Sequence, residues 1–212
     1  MTSIAIIGGT GYAGGHIAAE AAGRGLAVTT VSRSDQAPAV AGVTHVQGSI
    51  GDAALVEQLA AQHDVVVLAV HADGEPALLD VLPGIVKAAT AGQARLGVVG
   101  GAGSLYVAEG GPLLVETSEF PAEFKATALA HAEVLEWLRA NGAEADWFYV
   151  SPPALFGSYA PGETTGAYRT SDDVLLVDEA GNSEISGTDF ALAFVDEVVE
   201  PTHRNARFTV AH

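Results

Sequence analysis

Apolar residues fall along this chain in two rhythms that alternate. Short runs have the length and β-branched content of strands: Ile4-Ala5-Ile6-Ile7, Ala27-Val28-Thr29-Thr30-Val31, Thr44-His45-Val46-Gln47, Asp64 to Val70, Arg95-Leu96-Gly97-Val98-Val99 and Asp146-Trp147-Phe148-Tyr149-Val150. The fourth of these is apolar at nearly every position, so it is predicted to be a central parallel strand covered on both faces. Between the runs the spacing turns helical, from Ala13 to about Ala22, from Ala53 to about Gln62 with Asp52 as cap, from about Pro76 to Ala91, and from Pro121 to Arg139. In the last of these Phe124, Ala128, Ala132, Leu135 and Leu138 form the expected buried stripe, and His131 is expected to be solvated. Beyond Pro153 the alternation lapses. Val174 to Val177 and the turn at Gly181-Asn182 predict a small hairpin among loops, Thr188 or Asp189 caps a helix to about Glu200, and Arg207 to Val210 is a terminal strand.

Strands alternating with helices predict the α/β class, with a Rossmann-like doubly wound parallel sheet. We expect one domain over residues 1–212, in which about 152–190 contribute a small cap.

Where the first strand turns into the first helix stands Gly8-Gly9-Thr10-Gly11-Tyr12-Ala13-Gly14. Closely spaced glycines at a helix N-terminus leave backbone N–H groups uncovered at the positive end of the helix dipole, which is a cradle for a pyrophosphate. Gly8 permits the turn, Gly11 allows a phosphate to approach, and Gly14 lets the helix lie close on the strand. The second strand follows as a βαβ unit requires, so the stretch predicts a dinucleotide site.

An acid at the end of the second strand would receive a ribose 2′-hydroxyl and repel a 2′-phosphate. Ser32 and Arg33 stand there instead, which favours NADP(H) over NAD(H), with stacking of Arg33 on adenine as the alternative. Ser49 is placed near the adenine. Ala69, Val70 and His71 leave the fourth strand at the carboxyl edge, where ligands of such sheets bind, and Gly101 and Ser151-Pro152 leave the fifth and sixth strands at the same edge. His71, Asp73 and Glu75 alternate in one short loop, which is too little to predict a metal site. Phe156 and Tyr159 lie in the irregular segment, where either ring is available to stack on a flat ligand.

Charge narrows the partners. The 212 residues carry a formal net charge of -17, with only two lysines, Lys87 and Lys125, and no cysteine. Nucleic acid and anionic lipid surfaces are therefore unexpected partners, and disulfide or thiolate chemistry is excluded. No signal sequence or membrane span is apparent, which predicts a soluble cytoplasmic chain of undetermined oligomeric state.

Taken together, Gly8 to Gly14, Val31-Ser32-Arg33, Val98 to Leu105, Asp146-Trp147 through Ser151-Pro152-Pro153, Ile185-Ser186 and Asp189-Phe190-Ala191 resemble the atypical short-chain dehydrogenase/reductases. The likeness is to the small bacterial NAD(P)H-flavin reductases, related to the NmrA-like proteins and to biliverdin reductase B. The resemblance implies NAD(P)H in the glycine cradle, with Thr10, Tyr12 and Ala13 beside it and the nicotinamide near Ser104 and Ser151. It also makes Ser104 the residue that polarises a substrate, with Tyr106 a second candidate acid.

One departure from the ordinary family pattern is decisive. Those enzymes use a tyrosine four residues before a lysine as their proton relay. Pro83 precedes Lys87 at that distance and Pro121 precedes Lys125, so this chain has no Tyr-x-x-x-Lys. The expected activity is hydride transfer to a flat acceptor, flavin or quinone, that takes its proton from water. The alternatives are an NmrA-like redox sensor without turnover and, third, a sugar-nucleotide epimerase or dehydratase.

Overall fold

The computed structural model describes residues 1–38 and 40–212. Its elements run β1 Ser3–Ile7, α1 Tyr12–Gly23, β2 Ala27–Ser32, β3 Thr44–Gln47, α2 Ala53–Gln62, β4 Val65–Leu68, α3 Leu78–Gly92, β5 Arg95–Val99, α4 Lys125–Asn141, β6 Trp147–Ser151, β7 Arg169–Ser171, α5 Gly187–Val199 and β8 Ala206–Ala211. The strands form one sheet in the order β3-β2-β1-β4-β5-β6-β8-β7, parallel throughout except for the short β7, which runs antiparallel on β8. The fold is therefore α/β with a mostly parallel, Rossmann-like sheet. β4 lies between β1 and β5 with all four residues buried, which is why its sequence is apolar without alternation.

Alternate side chains of the strands feed two cores. Ala5, Ile7, Val66, Leu68, Leu96 and Val98 meet α2, α3 and α4 on one face. Ile4, Ile6, Val65, Val67, Phe148 and Val150 meet α1 and α5 on the other. Burying both faces removes most strand side chains from water, at about 1.5–3 kcal/mol for each large aliphatic residue. Strand order reverses between β1 and β4, and the two strands diverge into loops there, which opens a crevice at the carboxyl edge.

Three expectations change. The segment Val174–Val177 is no hairpin strand. Val174 makes a single bridge to Tyr106, and the strand that pairs antiparallel with β8 is Arg169–Ser171. The turn itself is present, with Gly181 donating to the Asp178 carbonyl. The last helix is capped by Ser186, whose hydroxyl accepts from the Asp189 amide, because Asp189 is turned inward to take the amides of Thr165 and Gly166. On α4 the buried stripe is Ala128, His131, Val134, Leu135 and Leu138. A separate 3-10 turn, Ala122–Phe124, precedes α4 and rotates Phe124 out to the surface, where it stacks on Tyr159 at 5.6 Å between ring centres. Ala132 is only half-buried, and His131, expected in solvent, is 7% exposed.

Candidate functional site

The site begins at the turn from β1 into α1. Gly8 has φ +88, and a Cβ there would stand 2.1 Å from the Ala69 carbonyl oxygen, so glycine is required on both counts. A Cβ on Gly14 would stand 2.3 Å from the Gly8 carbonyl oxygen, which is how α1 comes to lie directly on the loop. Gly11 is the N-cap and offers no side chain, and among the described residues no protein acceptor reaches the amides of Tyr12, Ala13 and Gly14. Three free N–H groups at a helix N-terminus are a fitting partner for phosphate oxygens, so the local geometry suits a dinucleotide.

From that loop a cavity of about 540 Å³ runs along the sheet edge past Thr10 and Gly11, Ser32 to Ser34, Gly48 and Ser49, and Ala69 to His71. The structure thus gathers Gly8, Thr10, Gly11, Ser32, Arg33, Ser49, Ala69, Val70 and His71 around one space. The Ser32 hydroxyl donates to the Ser34 carbonyl at 3.0 Å and fixes this loop. The Arg33 side chain is exposed at the cavity wall and has no carboxylate partner among the described residues. Ser49 Oγ accepts from the Gly51 amide at 3.2 Å.

Other predicted residues lie elsewhere. Ala13 and Gly14 do not line the cavity and contribute only their free amides at the start of α1. Tyr12 reaches the cap instead, with its hydroxyl accepting from the Gly187 amide at 3.1 Å and its ring edge-on to Phe156. Phe156 is taken up in turn by Phe190, 4.5 Å away, and so belongs to the core more than to any ligand. Gly101 lies against the His131 ring, and its amide donates to the Tyr149 hydroxyl at 3.2 Å. Ser151 and Pro152 are buried, with Ser151 at 0% exposure turned toward the interior. Tyr106 is 42% exposed and is held by its backbone, its amide donating to Asp173 and its carbonyl accepting from Leu175. Ser104 is half-buried in the loop that follows β5.

Behind Ser104 lies a cluster unforeseen from sequence. Arg207, on β8 with its side chain 1% exposed, donates from Nη1 to Ser104 Oγ at 3.1 Å and to Ser151 Oγ at 3.4 Å. Its Nε pairs with Asp173 Oδ1 at 2.6 Å, and Arg139 of α4 binds the same oxygen at 2.8 Å. Burial would raise the Asp173 carboxyl, but the two guanidiniums outweigh it and hold the group below its usual range. A cation inside an otherwise apolar strand end, Arg207-Phe208-Thr209-Val210, was the available signal, because a buried guanidinium must be partnered.

The second unforeseen feature is His131. Burial lowers it to about 4, with His71 adding to the effect and Asp73 opposing it, so the imidazole is neutral at neutral pH. Its Nδ1 is buried and has no hydrogen-bond partner among the described residues. Tyr149 passes beneath the same loop, donating to the His131 carbonyl at 3.0 Å, and burial pushes its phenol far above the usual range. Neither group is poised to exchange a proton near pH 7, and α4 carries no tyrosine. Among the described residues no three His, Asp or Glu side chains are grouped to hold a metal ion, and no helix is long and apolar enough to cross a membrane.

A family model described as NAD(P)H-binding matches residues 8–201. The chain belongs to this NAD(P)H-binding family. Its similarity to solved structures extends over the whole chain. A Burkholderia pseudomallei protein described as a "putative exported protein" is 39% identical, with all of both chains covered and a TM-score of 0.87. A Bacteroides thetaiotaomicron "putative epimerase" is 31% identical, covering 100% of this chain and 97% of that one, with a TM-score of 0.88. A Streptococcus pneumoniae "putative NADH-flavin reductase" is also 31% identical, with all of both chains covered and a TM-score of 0.84.

Proposed function

We propose that this NAD(P)H-binding protein is a reductase that uses NADPH to reduce a flat conjugated acceptor, a flavin or a quinone. The observation that carries the reading is a dinucleotide cradle in a chain whose α4 has no tyrosine, so that Lys125 at its start lacks the partner that alcohol–ketone chemistry requires. When bound, NADPH supplies a hydride from its nicotinamide ring. The amides of Tyr12, Ala13 and Gly14 hold the pyrophosphate, and Ser32 with Arg33 receives the 2′-phosphate. Ser104 offers its hydroxyl to the acceptor, and Gly101 on its tether to Tyr149 keeps the loop in place. The reduced acceptor takes its proton from solvent, so a neutral His131 and an unionised Tyr149 are no obstacle. The name of the pneumococcal relative agrees with this chemistry.

A second reading has its own observation. Phe124, Leu129, Leu155 and Tyr159 are each more than 40% exposed, an apolar surface suited to a protein partner, as a sensor of the cofactor's redox state would need. Epimerase or dehydratase chemistry on a sugar nucleotide, which the Bacteroides relative's name suggests, is weakened by the missing proton relay.

Oxidation of NADPH, followed with FMN, FAD and simple quinones, separates the first two. Acceptor-dependent turnover is the expected result. Tight binding of NADPH without turnover on any of these acceptors overturns the reductase and leaves the sensor.

A further inference from the structure

A serine hydroxyl has one proton to give and two lone pairs to receive with, whereas a guanidinium can only donate. The contact from Arg207 Nη1 to Ser104 Oγ therefore occupies a lone pair and leaves the hydroxyl proton to be given elsewhere. Among the described residues Ser104 Oγ donates to no protein acceptor, and neither does Ser151 Oγ, which takes the same guanidinium at 3.4 Å. The two serines differ in access. Ser151 is wholly buried, so only the half-buried Ser104 can present its proton to a ligand.

The surrounding charge adds to this. Arg207 and Arg139 share one carboxylate, Asp173, so the three groups sum to one positive charge in a chain of net charge -17. Among the described residues the only other carboxylate on the cluster is Glu136, 69% exposed on Arg139, where water screens it. Tyr149, on the strand beside β8 and opposite Arg207 in register, remains neutral.

We propose that Arg207 is a positioning residue for the acceptor site, holding Ser104 from behind so that its hydroxyl points outward as a polarised donor to an oxygen that becomes anionic during reduction. The identity of that anion rests on the reductase reading. A hydride brings two electrons and one proton to the acceptor, the nicotinamide is oxidised, and the acceptor carries a negative charge until water protonates it. A fixed hydroxyl backed by a buried cation stabilises that charge without having to reorganise.

Two measurements on wild type, Ser104→Ala, Arg207→Gln and the double variant test this. The first needs no turnover: 4-nitrophenol is titrated against the protein loaded with NADP⁺, and its absorbance reports whether the phenolate form is bound in preference to the phenol. Wild type is expected to prefer the phenolate, each single variant to lose most of that preference, and the double variant to lose no more. The second is the single-turnover rate of acceptor reduction, expected to fall about 10- to 100-fold in each single variant and no further in the double. A merely structural Arg207 would instead lower the melting temperature while its effect multiplied with that of Ser104→Ala.

Absence of phenolate preference in wild type, or losses that multiply, overturns the inference. If wild type prefers the phenolate yet reduces no acceptor, the reductase reading falls while the oxyanion site stands. Should Arg207→Gln fail to fold, Arg207→Lys replaces it in the cycle. The lysine variant keeps the charge, and its losses must again fail to multiply with those of Ser104→Ala.

Discussion

Two side chains, Arg33 at the cavity and His131 buried on α4, show how little of a residue's role lies in its identity alone. Arg33 is exposed, lines the cavity and has no acidic partner, so its guanidinium is available to a ligand phosphate. Arg33→Ala is expected to weaken NADPH about tenfold or more and NADH by less than threefold in equilibrium titrations, as loss of one charge-assisted contact implies. Equal weakening of both would place the guanidinium on the adenine they share. His131 has a different consequence. Its folded value of about 4 lies below the ordinary 6.5, so the unfolded chain binds a proton first as pH falls. Its contribution is fully present above pH 6.5 and is lost progressively toward pH 4, at up to about 1.4 kcal/mol per unit. The expected result is a urea midpoint that declines between pH 6.5 and 5, above the range where Asp173, Asp189 and Glu197 begin to protonate. His16 is shifted the same way by shallower burial, so His131→Phe should remove the larger part of the slope and leave a remainder. An unchanged slope in that variant would show that the imidazole is charged in the fold.

At the scale of the element, the close seating of α1 on β1 generates the cradle. A methyl group on Gly14 meets the Gly8 carbonyl, which is backbone and cannot swing aside. Gly14→Ala is expected to cost about 3 kcal/mol, a fall of about 6–12 °C in melting temperature, and to abolish detectable NADPH binding. A variant that melts and binds like wild type would mean that the helix can lift without disturbing the amides. The parallel strands and the first three helices were legible in the sequence because each reads off local periodicity, unlike the short β7: β4 is apolar throughout, and Asp52 caps α2 as expected, accepting from the Leu55 amide. The misreadings are tertiary. Phe124 matches the α4 spacing, but a 3-10 turn breaks the phase before Lys125, and His131 matches the same stripe that residue-type preference excluded it from. Ser186, not Thr188 or Asp189, caps α5 because Asp189 is drawn inward by Thr165, Gly166 and His212, partners remote in the chain. The site divides in the same way. The cradle and Ser32-Arg33 follow from neighbouring residues, whereas Ser104 and Arg207 stand 103 residues apart and meet only through the order of strands β5, β6 and β8.

For the molecule as a whole, the sheet carries the proposed phosphate site at one edge of a strongly acidic chain. A net charge of -17 repels itself in the compact state, and salt screens that repulsion within about 8 Å at physiological strength. The urea midpoint is therefore expected to rise between 10 mM and about 300 mM sodium chloride. A falling midpoint would mean that the ion pairs of Arg207 and Arg139 with Asp173 outweigh the global charge. Cations are scarce, so the proposed site relies chiefly on backbone dipoles to hold the dinucleotide, with selectivity for NADPH proposed to come from Arg33. Calorimetric titration of the wild-type chain with NADPH and NADH tests that account most directly. One NADPH per chain, bound about tenfold more tightly than NADH, is the predicted result, and no heat and no thermal shift with either nucleotide would contradict it.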